Sequence, residues 1–179
     1  MLTTYVMPVT VEGAGAARDD VSLLEADAEL LAALRERFPR DVDERKHGIL
    51  IARLASPVER CWVIVDSDGV PCGYCHAAVA SVLNARINAM VRLEPRQAYL
   101  FDSFVVRERR GRGLHGFSVA RRMELLAEEG IGEVVTIISR GNARSLAAFL
   151  PYGPRAVERL LYLPPVNTTL RMPVRAARR

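Results

Sequence analysis

One stretch constrains this chain more than any other: Val105-Val106-Arg107-Glu108-Arg109-Arg110-Gly111-Arg112-Gly113-Leu114-His115-Gly116. Three glycines and four arginines stand between an extended-looking run and a helical one. Glycine adopts left-handed backbone cheaply and lets the main chain approach a ligand closely. A helix start presents unpaired N–H groups and the positive end of its dipole. Together these predict a strand, a tight turn and a helix whose N-terminus cradles a pyrophosphate. The neighbouring arginines add charge-assisted contacts. A P-loop is excluded, because no Gly-Lys-Ser/Thr follows, and the dinucleotide fingerprint needs a different glycine spacing and a first strand beside it.

The 179 residues, half of them apolar and 26% charged, suit one globular domain that needs no metal or disulfide staple. Residues 1–174 are expected to form that domain and 175–179 a frayed basic tail. No apolar run approaches the ~18 residues of a membrane span. The start Met1-Leu2-Thr3-Thr4-Tyr5 lacks the pattern of a secretory signal, so a cytoplasmic location is expected. The net charge is only +4, and Lys46 is the sole lysine. The arginine bias fits either GC-rich coding or anion recognition by guanidinium forks. Nucleic-acid binding is disfavoured, because the charge is modest and clusters at one helix start.

Three cysteines, Cys61, Cys72 and Cys75, are an odd number and argue against a disulfide framework. Cys72-Gly73-Tyr74-Cys75-His76 matches the Cys-x-x-Cys-His pattern of haem attachment. It lies in an extended run, however, where residues three apart face opposite ways. No closed zinc set is present either, and no metal is expected.

Periodicity predicts the remaining elements. A strand is expected over 5–11, with a loop around Gly13 and Gly15. Asp19 and Asp20 are placed as helix N-caps, before a helix carrying Leu24, Ala28, Leu31, Leu34 and Phe38 and stopped by Pro39. A second helix is expected over 42–55. A hairpin then turns at Ser67-Asp68-Gly69, with its return strand over 70–79. Residues 81–95 are read as strand end and loop. A strand over 98–106 places Phe101, Ser103 and Val105 on one face and Leu100, Asp102, Phe104 and Val106 on the other. A helix over 114–130, a strand over 134–138, a short helix over 142–150 and weaker strands over 160–163 and 168–174 complete the pattern.

The Arg110-Gly111-Arg112-Gly113-Leu114 run resembles motif A of the GNAT N-acetyltransferases, Gln/Arg-x-x-Gly-x-Gly/Ala, which follows a strand and opens a helix. His115 stands where a second small residue is usual, and Gly116 follows. Either the loop is shifted by one residue, or His115 touches the pyrophosphate, or it is a solvent-facing first-turn residue. Asn142, Ser145, Phe149 and Gly153 follow the spacing of the family's Asn-x-x-Ala-x-x-x-Tyr-x-x-x-Gly stretch, and residues 62–73 resemble its hairpin. The likeness spans about 61–153. It implies an α/β (mixed α+β) fold: a central, mostly antiparallel mixed sheet, splayed between its fourth and fifth strands and flanked by helices.

The resemblance also implies an acyl-CoA-dependent N-acyltransferase, with acetyl-CoA as donor and a primary amine of a small molecule as acceptor. A non-catalytic, regulatory CoA-binding module is the alternative. Backbone groups of Phe104, Val105 and Val106 would pair with the pantetheine arm, and amides from Gly111 to Gly116 would hold the pyrophosphate. Arg110, Arg112, Leu114 and His115 belong to that loop, while Asn142 and Ser145 would flank pantetheine or adenosine. The family's usual tyrosine acid is replaced by Phe149, which leaves Tyr152 as the candidate acid. Asp102 is the candidate base, and its alternative is a strand-end partner for an arginine. His76 is a second candidate base, and Cys75 shows no sign of activation. Residues 81–96 would lie near the acceptor or at an oligomer interface, and a homodimer is compatible with the family.

Overall fold

A computed structural model describes residues 1–10 and 18–174. The expected loop at Gly13 and Gly15 and the basic tail lie outside the described residues. The elements run β1 (Leu2–Pro8), β2 (Val21–Glu25), α1 (Ala28–Arg37), α2 (Glu44–Leu54), β3 (Glu59–Asp66) and β4 (Pro71–Ala78). They continue β5 (Val82–Asn84), β6 (Ala89–Val91), β7 (Gln97–Val105), α3 (Leu114–Glu128), β8 (Glu133–Ser139), α4 (Ala143–Ala147), β9 (Arg155–Leu163) and β10 (Thr168–Pro173). Eight strands form one sheet in the order β10-β9-β1-β8-β7-β4-β3-β2, and β5 and β6 form a separate hairpin. Every pairing is antiparallel except β7 with β8. No described helix is long and apolar enough to cross a membrane.

Two apolar layers cover the sheet. Leu31, Leu34 and Phe38 of the α1 region and Leu50 of α2 pack with Val63, Cys72 and Tyr74 on one face. Val119, Ala120, Met123 and Leu126 of α3 pack with Cys75, Ala77, Ala98 and Leu100 on the other. Strand β4, sandwiched between the layers, is buried along its whole length. Its two cysteines therefore separate onto opposite faces, and all three cysteines are free and buried. Burial pushes the Cys61 thiol up to about 12. These are inert packing residues.

The structure corrects three expectations. Asp19 and Asp20 cap no helix: residues 21–25 are a strand paired with β3, and Leu24 lies on it, exposed. The cap of α1 is Asp27, whose carboxylate accepts the Leu30 N–H at 2.7 Å. Sheet pairing at the β3 edge overrides a helical spacing that only begins at Ala28. The stretch read as loop holds the β5–β6 hairpin. The faces of β7 are also reassigned: Tyr74 pairs with Phe104 but His76 pairs with Phe101, so β7 carries one extra residue. That residue makes a β-bulge, with Asp102 at φ 45°. Beyond the bulge the alternation inverts. Phe104 joins Phe101 on the face of Tyr74 and His76, with the Tyr74 and Phe104 rings stacked at 5.6 Å. Ser103 turns to the α3 side, where its Oγ accepts from Arg122 Nη2 at 3.0 Å.

Strands β4 and β7 touch so closely at Gly73 that a Cβ there would sit 2.4 Å from the Phe104 carbonyl oxygen. Gly73→Ala should therefore cost about 2 kcal/mol in urea unfolding, in the range of core overpacking. Gly48, exposed within α2 with open space at its Cβ position, supplies the contrast. Gly48→Ala should stabilise by roughly 0.5–1 kcal/mol. Equal midpoints for the two variants would contradict this packing.

Candidate acyl-CoA cleft

The parallel pairing of β7 with β8 covers only Gln97↔Glu133 to Leu100↔Thr136. Beyond it both strands continue, β7 to Val105 and β8 to Ser139, and diverge. Thr136 closes the base of the fork by donating its hydroxyl to the Leu100 carbonyl at 3.0 Å. A cleft of about 1210 Å³ opens from this fork, running from the start of α3 to α2 and the β5–β6 connection.

At one end stands the glycine loop. Gly111 and Gly113 both adopt left-handed backbone, at φ 79° and 74°. Gly113 is the N-cap of α3, and among the described residues no side chain caps the helix. Its first N–H groups thus remain available to an anion, the arrangement that favours phosphate binding. Among the predicted residues, Asp102, Phe104, Val105, Arg110, Gly111, Gly113, Leu114, His115, Gly116, Asn142 and Ser145 all line the cleft. Asn142 caps α4, accepting the Ser145 N–H at 3.1 Å, so both are held at the cleft wall.

Three predicted residues lie elsewhere. Val106 is fully buried and donates its N–H to Cys72 at 2.9 Å, so that group is engaged within the sheet. By antiparallel alternation the Val105 N–H and C=O then face the fork. The Val105 carbonyl there accepts Arg110 Nε at 3.0 Å. Arg112 is exposed and does not line the cleft; its carbonyl accepts Arg18 Nη1 at 2.6 Å. Tyr152 is buried in the α3-side core and is not among the cleft-lining residues, whereas Phe149 is. The chain after α4 turns tightly over Leu150–Tyr152 and carries the tyrosine inward.

The arginines of the loop also divide. Arg107 pairs with Asp41 at 3.1 Å and Arg109 with Asp66 at 3.2 Å. Arg110 folds back, its guanidinium 5.3 Å from the Phe104 ring centroid. His115 is not solvent-facing: it lines the cleft and meets Phe149 edge-on at 6.2 Å. Burial, aided by the nearby Arg122 charge, pushes its pKa down to about 4, so it is neutral at pH 7.

At the other end Asp102 projects from the bulge. Lys46 Nζ lies 2.7 Å from its Oδ2, and Arg53 Nη1 bonds the same oxygen. Burial alone would raise the Asp102 pKa, but the hydrogen bonds and charges of Lys46 and Arg53 outweigh it and hold the carboxyl below its ordinary value. A carboxylate held in this way is a weak base. Arg53 also approaches Glu59 at 3.5 Å and lies 5.1 Å over the Phe101 ring. Lys46 and Arg53 were not singled out as site residues from the sequence, whereas Asn84 and Arg86, which line the cleft, fall within the 81–96 stretch expected near the acceptor or at an oligomer interface. The one available signal was that Lys46 is the only lysine.

His76 is fully buried, with Nδ1 3.4 Å from the Asp102 carbonyl, and burial followed by the Arg53 charge pushes it down to about 3. Arg122 is fully buried on the opposite side. It is held by the Ser118 and His76 carbonyls and the Ser103 hydroxyl, at 3.0, 2.8 and 3.0 Å.

A mixed sheet forked at its one parallel pair, beside a helix that starts at a glycine turn, is the arrangement that the resemblance in the sequence implied. The model of the acetyltransferase (GNAT) family matches residues 27–153, and the chain belongs to this family. Among solved structures, the chain is similar to aminoglycoside 6'-N-acetyltransferase AAC(6')-Ih from Acinetobacter baumannii, at 16% identity and TM-score 0.57. That match covers 80% of this chain and 96% of the other. AAC(6')-Iy, solved with the bisubstrate analogue CoA-S-monomethyl-acetylneamine, matches at 18% identity and TM-score 0.56 over the same shares. Spermidine N-acetyltransferase from Vibrio cholerae matches at 11% and 0.55, covering 76% of this chain and 80% of that one. No curated protein matches the sequence.

The buried His76 sets a pH dependence. Its folded pKa is depressed below the ordinary value of about 6.5, so folding favours the neutral ring. The stability this carries is complete above about pH 6.5 and declines as the pH falls toward the folded value. Urea unfolding at pH 7 and pH 5 should show a decline approaching about 1.4 kcal/mol per pH unit from this group. His76→Phe should reduce the slope and leave the share contributed by His115, whose pKa is also depressed, and an unchanged slope in that variant would remove His76 as a cause.

Proposed function

We propose that this protein transfers an acyl group, most simply acetyl, from acyl-CoA to a primary amine of a small molecule. The observation that carries this reading is the fork. Strands β7 and β8 part beside an uncapped helix start, so one cleft joins a pyrophosphate site to an open acceptor end. The likeness to an enzyme solved with a CoA bisubstrate analogue supports it.

In this reading the N–H groups opening α3 hold the pyrophosphate, and Arg144 at the cleft wall adds charge. The pantetheine arm runs along β7, where it displaces Arg110 from the Val105 carbonyl. The Val105 N–H polarises the thioester carbonyl as an oxyanion donor does. The amine nitrogen attacks the thioester carbon, the C–N bond forms, the C–S bond breaks, and CoA leaves as thiolate. The amine's surplus proton passes to solvent. Asp102 acts as the anchor that holds Lys46 and Arg53 at the acceptor end. Their positive potential disfavours the ammonium form of the acceptor and so prepares the neutral nucleophile. With Phe149 at the cleft and Tyr152 in the core, neither of these two positions supplies a tyrosine acid to the departing thiolate.

Incubation with acetyl-CoA and a panel of amines should release free thiol and yield an N-acetylated product by mass spectrometry. Gly116 has open space at its Cβ position and lies in the first turn of α3, so Gly116→Glu should fold normally. The added carboxylate faces the pyrophosphate, and CoA affinity should fall by at least about tenfold. CoA binding with no acyl transfer to any amine would leave only the non-catalytic alternative.

A further inference from the structure

The two ends of the cleft differ in what their charge can serve. Cations at the glycine-loop end face a ligand that brings phosphates. At the acceptor end, Lys46, Ile49 and Arg53 line the cleft from one side of α2, at helical spacings of three and four. Arg86, on the β5–β6 connection, lines it as well. Among the described residues that line the cleft, Asp102 is the only carboxylate, and Lys46 and Arg53 already hold it. Arg86 is exposed and has no carboxylate within ion-pair distance among the described residues.

Three cations thus line this end of the cleft; Lys46 and Arg53 are paired with Asp102, and Arg53 also with Glu59 behind it, while Arg86 is not paired among the described residues. An acceptor carrying several ammonium groups, as the spermidine and aminoglycoside acted on by the structural neighbours do, would meet like charge and find no free carboxylate. An acceptor that brings its own anion would find the Arg86 fork free and further donors on Lys46. Apolar surface lies alongside, on the exposed Ile49 and Leu83.

Resting on the acyl-transfer reading above, we propose that the acceptor is an amine that also carries a carboxylate, an amino acid with an apolar side chain. Arg86 and Lys46 receive the carboxylate, and Ile49 and Leu83 receive the side chain. The amine stays near the Val105 end, where the thioester lies. Acylation then forms the amide N–C bond, breaks the C–S bond, and leaves the substrate's acid group unchanged.

The test uses matched pairs that differ only in the carboxylate: phenylalanine against phenethylamine, and leucine against 3-methylbutylamine, with spermidine and neamine alongside. Thiol release gives kcat/KM for each, and calorimetry on the CoA-loaded protein gives Kd for each. The acid member of each pair should lead by about tenfold or more in both measures. Arg86→Glu, at an exposed position that should not disturb folding, should cut that ratio by about tenfold. Equal or higher kcat/KM for the decarboxylated amines, or for spermidine or neamine, overturns this proposal and leaves acyl transfer standing. Absence of turnover with every amine overturns acyl transfer, and the calorimetric ratio then decides the acid-group proposal alone: a ratio near one rejects it.

Discussion

The extra residue in β7 is the constraint on which the site depends. It puts Asp102 in left-handed backbone, a region that non-glycine residues enter only where their surroundings hold them. The ion pairs from Lys46 and Arg53 supply that hold, and they also tie α2 to the sheet. A bulge bends its strand and increases its twist. Accordingly β7 parts from β8 a short distance before Asp102, and the fork opens there. The same inversion sends Phe104 to the α1/α2 face and Ser103 to Arg122. One extra residue thereby reverses the faces of β7 at the cleft and holds Lys46 and Arg53 at one end of it.

Charge in this molecule is used in distinct ways that composition does not separate. Arg107 and Arg109 pair with Asp41 and Asp66 and so tie the loop to the α1/α2 side of the fold. Arg110 stacks over Phe104. Arg122 is buried with three oxygen acceptors and, among the described residues, no carboxylate bonded to it, and burial lowers its pKa. A guanidinium tolerates such a place because its planar donors fit several neutral oxygens at once. The N–H groups of α3 serve the proposed anion site through backbone, where side-chain identity matters least.

Much of the fold was legible beforehand because its signals are local. The helix of α3 follows from Phe117, Ala120, Met123 and Leu126 on one face, and from Gly113 and Gly130, which both adopt left-handed backbone at its ends. The β3–β4 hairpin follows from Asp68-Gly69 between two β-rich runs. The cleft-lining glycines, Asn142 and Ser145 were reachable because their spacing matches a motif. Strand β2 was not, because the reason for its extended form is the β3 edge beside it. Tyr152 was placed at the chemistry by its nearness to Phe149 in sequence, yet a tight turn carries it into the core.

By itself, then, the sequence determined the strand–glycine turn–helix unit, its anion-ready N-terminus and the family to which they point. These depend on backbone preferences of residues close together in the chain. Only the tertiary structure decided where the fork opens and what lies across from it. Lys46, Arg53, Arg86 and Asp102 lie on separate segments and line one cleft only once the chain has folded, with Lys46 and Arg53 of α2 paired to Asp102 of β7. The pattern of side chains along β7 reverses because of a pairing with β4 that no local periodicity encodes. The charge of this end of the cleft is therefore a property of contacts between distant segments, and the proposal for the acceptor rests on it.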